Sequence, residues 1–322
     1  MEIASRALSM AVDKSNSLDI PLVIAGDLHD TKANLRGECI KAIIGCLSKC
    51  VITPYVIVGN HDKINEKSKD HSLEFLRQMS AIVDTPTDFN PYVKLLPYYS
   101  DAQELKQYLK TSVNAGTIVI MHQGLTGSAF GEYIQDKSAI THDDVADFRV
   151  ISGHYHTRQD IQTGRPKKDQ IGMFSYIGNP YTLNFGEVKD PAKGFQILNS
   201  DGSLEFIPTN LRQHVVMDLT VEELKSEAIF LGDDADLLWV KIRGTTDELK
   251  CLSKKSVALD LDITQPFKLD LVPTETKVSK DSEFKNQSQE QILDTMIDSL
   301  SNTEYSKKEK LKAMWKSFIG AK

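Results

Sequence analysis

Four short apolar runs in this chain break off directly into ligand-bearing residues. Val23-Ile24-Ala25 runs into Gly26-Asp27-Leu28-His29-Asp30, and Val56-Ile57-Val58 into Gly59-Asn60-His61-Asp62. Ile118-Val119-Ile120-Met121 runs into His122-Gln123, and Val150-Ile151-Ser152 into Gly153-His154-Tyr155-His156. Short apolar runs bounded by Gly, Asn or His read as buried strands feeding loops, which predicts an α/β fold with its chemistry at strand ends.

Strands are predicted over residues 21–25, 54–58, 93–96, 117–121, 149–152, 173–177 and 194–198. Between them, three- and four-residue apolar spacing predicts helices over 2–14, 37–50, 72–81 and 102–110. From about 214 to 271 the pattern becomes strand, helix, strand, helix, strand, with strands at 214–219, 236–243 and 266–271 and helices at 221–228 and 247–253. The expected organisation is a core over 1–200, a small α+β capping domain over 201–272, a polar linker over 273–288 and C-terminal helices over 289–322. One terminal helix carries Ile292, Leu293, Met296, Ile297 and Leu300 on one face, the other Leu311, Met314, Trp315, Phe318 and Ile319. Such a stripe either packs back on the main body or docks on another protein, and the sequence leaves both open.

Composition narrows the class. At 322 residues, 40% hydrophobic and 26% charged, the chain has the means to bury a core, which excludes a disordered or disulfide-scaffold protein. The net charge of -7 gives no overall electrostatic footprint for nucleic acid, so any DNA binding must use a local patch or a partner. No run approaches the roughly 18 apolar residues of a membrane helix, and the first residues do not spell a signal peptide, so a cytoplasmic protein is expected. Cys39, Cys46 and Cys50 fall on one predicted helical face and are expected as buried thiols; no Cys-x-x-Cys pair favours structural zinc.

Carboxylate, amide oxygen and imidazole gathered at strand ends make a donor set for manganese, iron or zinc, and the two oxygens of Asp27 can bridge two ions. Two divalent metals about 4 Å apart activate water and stabilise charge on a phosphoryl oxygen, so phosphoester hydrolysis is the natural reaction. No Gly-x-Ser-x-Gly elbow and no Gly-x-x-x-x-Gly-Lys loop occurs, which disfavours covalent catalysis and ATP hydrolysis. His71, His142 and His214 lack comparable context and are expected at the surface.

These motifs resemble the calcineurin-like metallophosphoesterase superfamily, whose pattern is Asp-x-His, Gly-Asp-x-x-Asp, Gly-Asn-His-Asp or Glu, a lone His, and Gly-His-x-His. The last four are present. Tyr176-Ile177-Gly178-Asn179-Pro180-Tyr181-Thr182-Leu183-Asn184-Phe185-Gly186-Glu187, with Lys193-Gly194-Phe195, is similar to SbcD-type nuclease subunits of bacteria and phages. The resemblance implies a metallophosphoesterase sandwich of mixed sheets flanked by helices and two divalent ions, manganese foremost. Asp27 would bridge both, Asn60, His122 and His154 would complete one site, and His156 would ligate the other ion. His61 would be the general acid with Asp62 holding its orientation, and Asp30 would stand behind the ligands. The implied partners are DNA and an SbcC-like coiled-coil ATPase, with a homodimer inside a heterotetramer.

The family's first Asp-x-His motif has no counterpart upstream of Asp27, so two ligands of one metal are absent from the pattern. Three accounts are open: a truncated chain or misplaced start, a split gene, and a protein that keeps one metal site; the first is favoured. His29 offers a spare imidazole, although a polar loop residue is the plainer reading. The leading expectation for function is a metal-dependent DNA exonuclease or endonuclease subunit of an SbcCD-like complex. The alternatives are a phosphoesterase of a small phosphodiester or phosphoprotein, and a catalytically silent scaffold for the ATPase.

Overall fold

A computed structural model describes residues 2–30, 35–65, 68–130, 134–135, 140–167, 170–190, 192–226, 237–274, 297 and 307–312. The chain opens with α1 (Glu2–Leu18), β1 (Val23–Ile24), α2 (Gly37–Leu47) and β2 (Tyr55–Ile57); a 3-10 turn at Glu74–Leu76 leads to β3 (Ala81–Val83). β1, β2 and β3 form a parallel sheet in that order, with Val23 opposite Tyr55 and Tyr55 opposite Ala81. β4 (Thr87–Asn90), β5 (Val93–Leu96), α3 (Ala102–Ser112) and β6 (Ile118–Met121) follow. Next come β7 (Ala129–Phe130), which pairs antiparallel with β8 (Ile134–Gln135), then β9 (Arg149–Ser152), β10 (Gln159–Lys167) and β11 (Gln170–Tyr176).

The second sheet has the order β10-β11-β9-β6-β5-β4. Its four central strands are parallel and its two edges antiparallel. β12 (Gly194–Leu198) and β13 (Leu204–Pro208) form an antiparallel pair. β14 (His214–Thr220), α4 (Val221–Leu224), β15 (Leu237–Gly244), α5 (Thr246–Lys250), α6 (Lys254–Asp260) and β16 (Phe267–Pro273) complete the described elements, the strands pairing in the order β14-β15-β16.

Strand periodicity explains the layering, because successive side chains point to opposite faces. Ile57, Val83, Leu95, Ile120 and Ile151 share one core between the two sheets. Their neighbours Val56, Val58 and Ile82 join Val12, Ile43 and Leu47 under α1 and α2. Val119, Met121 and Val150 join Leu105 and Leu109 under α3. Each such fully buried aliphatic side chain contributes about 1.5–3 kcal/mol of transfer free energy. The result is an α/β arrangement of mixed sheets flanked by helices.

The predicted helix over 72–81 is a correction. Leu73 and Leu76 are buried, with Phe75 and Met79 packed beside them, but a single 3-10 turn meets that spacing, and β-branched Ile82 and Val83 complete β3. The helix predicted over 247–253 is α5 and ends at Lys250; Ser253 Oγ accepts the Ser256 N–H at 3.0 Å and opens α6, a helix the sequence reading did not predict. The helix predicted over 221–228 is the single turn α4: Lys225 caps it and Ser226 is no longer helical, while 227–228 lie outside the described residues. Cys46 is buried whereas Cys39 and Cys50 are half-buried, and all are free.

The chain divides into two compact units, the first Met1–Met217, Ala228–Val240 and Leu261–Leu269, the second Asp218–Glu227, Lys241–Asp260 and Asp270–Lys322. The motifs at the strand ends all belong to the first. The predicted linker and terminal helices lie outside the described residues except for 273–274, 297 and 307–312. Among the described residues no helix is long and apolar enough to cross a membrane.

Candidate metal centre

β1 and β2 of one sheet and β6 and β9 of the other end side by side, and their loops interlock at glycines. A Cβ on Gly26 would lie 2.2 Å from Nδ1 of His122, one on Gly59 2.1 Å from Oδ1 of Asp27, and one on Gly153 2.3 Å from the Ala25 carbonyl oxygen. Gly26 has φ +90° and Asp27 φ +51°, a left-handed pair that turns the Asp27 carboxylate across the strand ends.

His122 is fully buried. Its Nδ1 donates to the Ala25 carbonyl at 2.8 Å, which puts the lone pair of the neutral ring on Nε2. That nitrogen faces Asp27 Oδ2 at 3.0 Å, Asn60 Oδ1 at 3.0 Å and His154 Nδ1 at 3.1 Å. A proton on Nε2 serves one of these acceptors and leaves the others without a donor. A cation among the four atoms satisfies all of them, so the donor set fits a divalent ion.

Without an ion a proton takes that place: burial pushes the His122 imidazole down, but the hydrogen bond and charge of Asp27 outweigh it and raise it above its ordinary value. Burial pushes the Asp27 carboxyl up, but the hydrogen bond and charge of His122 and the His61 amide outweigh it and hold the group below its ordinary value. Burial and then the neighbouring His122 push His154 down to about 4, so its ring is neutral near pH 7. Tyr98 stands beside both imidazoles, with ring centroids 6.4 Å from His122 and 6.2 Å from His154.

Asp27, Asn60, His122 and His154 are thus brought together, and the His61 amide joins them by donating to Asp27 Oδ1 at 2.9 Å. The half-exposed His61 ring turns elsewhere: its Nδ1 donates to the Asp30 carbonyl at 2.9 Å, with Asp30 Oδ1 at 3.5 Å. The Asp62 carboxylate is fully buried and binds main chain, accepting the Gly59 N–H at 2.8 Å and the Asp27 N–H at 2.9 Å. Burial and the Asp27 charge push its carboxyl up against the pull of the Gly59 amide. His156 stands apart from the four, its Nδ1 3.1 Å from Glu187 Oε1. The His29 side chain is 6% exposed, with Nε2 hydrogen-bonded to Ser72 Oγ and 3.6 Å from Asp62 Oδ1, so it is a buried group rather than a polar loop residue.

The three histidines expected at the surface are also corrected. His142 and His214 are half-buried, facing the Thr126 carbonyl at 3.2 Å and Thr182 Oγ1 at 2.8 Å. His71 is buried and, among the described residues, forms with Glu74 and Asp84 a group whose ligand atoms lie within 4.8 Å of one another. Its Nδ1 accepts the Leu73 N–H at 3.2 Å, leaving Nε2 as a donor, and Arg77 Nη2 already sits 2.6 Å from Glu74 and 2.7 Å from Asp84. That cluster is an ion-pair latch in which Arg77 bonds both carboxylates and offsets one of their two charges.

Sequence reasoning assigned no role to Ser152, to Tyr98, or to Lys193 behind Glu187. The partners of Ser152 and Tyr98 are distant along the chain, whereas Lys193 lies near Asp190 and Glu187 in the segment that carries the resemblance, which gave it no role.

No protein-family model matches the chain. It is similar to exonuclease subunit 1 of Enterobacteria phage T4, 30% identical over 208 residues that cover 59% of this chain and 56% of that protein. The chain therefore spans about half the length of the curated relative it matches.

Proposed function

We propose that this chain is a metal-dependent DNA phosphodiesterase, the nuclease subunit of an SbcCD-like assembly built on a metallophosphoesterase core. The observation that carries this reading is the convergence of Asp27, Asn60, His122 and His154 on one point at the strand ends. The likeness to a phage exonuclease subunit supports nucleic acid as the substrate class and a partner subunit, and the motif resemblance implies that this partner is an SbcC-like coiled-coil ATPase. Under this reading residues 1–200 are the catalytic core, 201–272 a cap, and 289–322 the docking segment.

Bound divalent cations, manganese foremost, would supply Lewis acidity toward the phosphoryl oxygen and acidify a water nucleophile. Asp27, with Oδ2 at the cluster, would hold one ion together with Asn60, His122 and His154 and, as the resemblance implies, would share it with a second. The half-exposed His61 ring, held by the Asp30 carbonyl, would by the resemblance protonate the leaving oxygen. His156 would ligate the second ion only by the resemblance, since its ring meets Glu187, and Asp62 holds the Asp27 and Gly59 amides in register.

The test is manganese-dependent degradation of linear duplex DNA by the chain with its ATPase partner. Asp27→Asn is expected to abolish cleavage, and His61→Asn to lower the rate about 10²–10⁴-fold with manganese content unchanged. Cleavage that survives Asp27→Asn overturns the site, and activity confined to small phosphodiesters overturns the substrate.

A further inference from the structure

Two cations border the loop that brings His154 to the candidate centre. Lys63 directly follows the Gly59-Asn60-His61-Asp62 turn, and its Nζ stands over the Tyr98 ring, 5.6 Å from the centroid. That ring is stacked beside His154, with 6.2 Å between centroids and 25° between planes. Arg158 closes the His154 loop just before β10, and its guanidinium stands over Phe206 of β13 at 4.0 Å from the centroid. An aromatic face attracts a cation and fixes its place without neutralising it.

The main chain under both side chains is tied down. Ahead of Lys63 the buried Asp62 carboxylate holds the Gly59 and Asp27 amides; Lys63 itself bridges antiparallel to His71, and the Ile64 N–H donates to the Asp70 carbonyl at 3.2 Å. A Cβ on Gly178 would lie 2.9 Å from the Arg158 main-chain nitrogen, so a glycine lets the segment after β11 close against Arg158. A Cβ on Gly194 would lie 2.7 Å from Cζ of Phe206, and its absence leaves that ring its place under the guanidinium.

Both cationic side chains are half-buried, and among the described residues neither joins an ion pair. Lys94 shows the usual arrangement: it too stands over a ring, that of Tyr108 at 5.9 Å, but its Nζ is spent on Asp88 at 2.5 Å. A half-buried cation with no carboxylate has given up hydration for no replacement partner, so its charge favours an incoming anion. In a chain of net charge -7, such unspent local charge is what a polyanion needs. Arg158 offers a planar fork that matches phosphate, and Lys63 a point charge. We propose that Lys63 and Arg158 bind backbone phosphates flanking the one presented to the candidate metal centre, so that they set the register of a nucleic-acid strand there. This inference rests on the nucleic-acid reading above, and contacts of this kind position a strand without reading its sequence.

The salt dependence of binding counts such contacts. Fluorescence anisotropy of a labelled duplex oligonucleotide with the metal-free chain, over a series of salt concentrations, gives the slope of log affinity against log salt, to which each phosphate contact adds about 0.9. Lys63→Gln and Arg158→Gln are each expected to lower that slope by about 0.9, and the double variant by about 1.8. Arg158→Lys keeps the charge and loses the fork, so it is expected to weaken binding with the slope retained. Lys94, near the start of β5 and so away from the strand ends, is the control, and Lys94→Gln is expected to leave the slope unchanged. A slope that does not move in Lys63→Gln or Arg158→Gln, or that moves as far in Lys94→Gln, overturns the phosphate contacts and leaves the nucleic-acid reading in place. Failure of the unaltered chain to bind the duplex at any salt concentration overturns that reading itself.

Discussion

The main-chain amide of Asp27 donates to Oδ2 of Asp62 at 2.9 Å, and the same oxygen accepts the Gly59 amide at 2.8 Å. One buried carboxylate thus joins the loops after β1 and β2 and holds Asp27 at φ +51°. Asp62→Ala leaves two amides without an acceptor and is expected to cost about 2–4 kcal/mol. Asp62→Asn keeps an oxygen there and sheds a buried charge, so a loss of at most about 1 kcal/mol is expected. Urea unfolding of both variants checks this; equal losses would show that charge, not the acceptor, holds the loops.

Two glycines should respond in opposite directions. A Cβ on Gly59 would sit 2.4 Å from the Asp27 main-chain nitrogen, which cannot move without dismantling the turn. Gly59→Ala is expected to cost at least about 3 kcal/mol and to abolish metal binding. Gly45 lies on the exposed side of α2 with nothing within 4 Å of an added Cβ. There the substitution only removes freedom from the unfolded chain, and Gly45→Ala is expected to stabilise by about 0.5–1 kcal/mol. Thermal melts decide both, and destabilisation by Gly45→Ala would contradict the open space beside α2.

What was legible beforehand follows from how each signal is encoded. β5, β9 and β12 span their predicted residues, because apolar positions dominate each short run and polar or turn residues bound it. β4 and β10 went unread: they are the two edges of the six-stranded sheet, and edge strands such as Thr87-Asp88-Phe89-Asn90 carry polar residues that mask the pattern. The grouping of Asp27, Asn60, His122 and His154 was legible because each stands next to a strand end. The partners of His61 and His156 were not: Asp30 and Glu187 lie about thirty residues away in the chain, where only tertiary packing brings them into reach.

Acid should loosen the latch around His71. Burial raises the Asp84 carboxyl, but Arg77 at 2.7 Å and His71 at 3.5 Å hold it below its ordinary 3.8. The unfolded chain therefore takes up this proton more readily than the folded one. The Asp84 contribution is full above pH 3.8 and is lost as pH falls through the lower folded value. The group is part-exposed and screened, so Asp84→Asn is expected to lower stability by only about 0.5–1 kcal/mol at neutral pH and by nothing once both forms are protonated. Urea midpoints across the acid range check the sign; a difference that grows toward low pH would refute it.

Ser152 ties together the strand ends that carry His122 and His154. Its fully buried Oγ donates to the Gln123 carbonyl at 2.9 Å and accepts the Gln123 N–H at 3.1 Å, across the pair in which Met121 lies opposite Ser152. Ser152→Ala removes no ligand but leaves both Gln123 groups unpaired next to His122, at a cost of about 1–3 kcal/mol. Because Nε2 of His122 and Nδ1 of His154 are only 3.1 Å apart, a small opening of β6 from β9 would spread the donors of the proposed cation site. Manganese affinity is therefore expected to fall along with stability. Ser175→Ala is the control: Ser175 is equally buried but bonds Asp160 across β11 and β10, so it should lose stability while keeping manganese affinity. If Ser152→Ala keeps full affinity, the strand ladder alone sets the spacing of the two imidazoles and the hydroxyl serves only the fold.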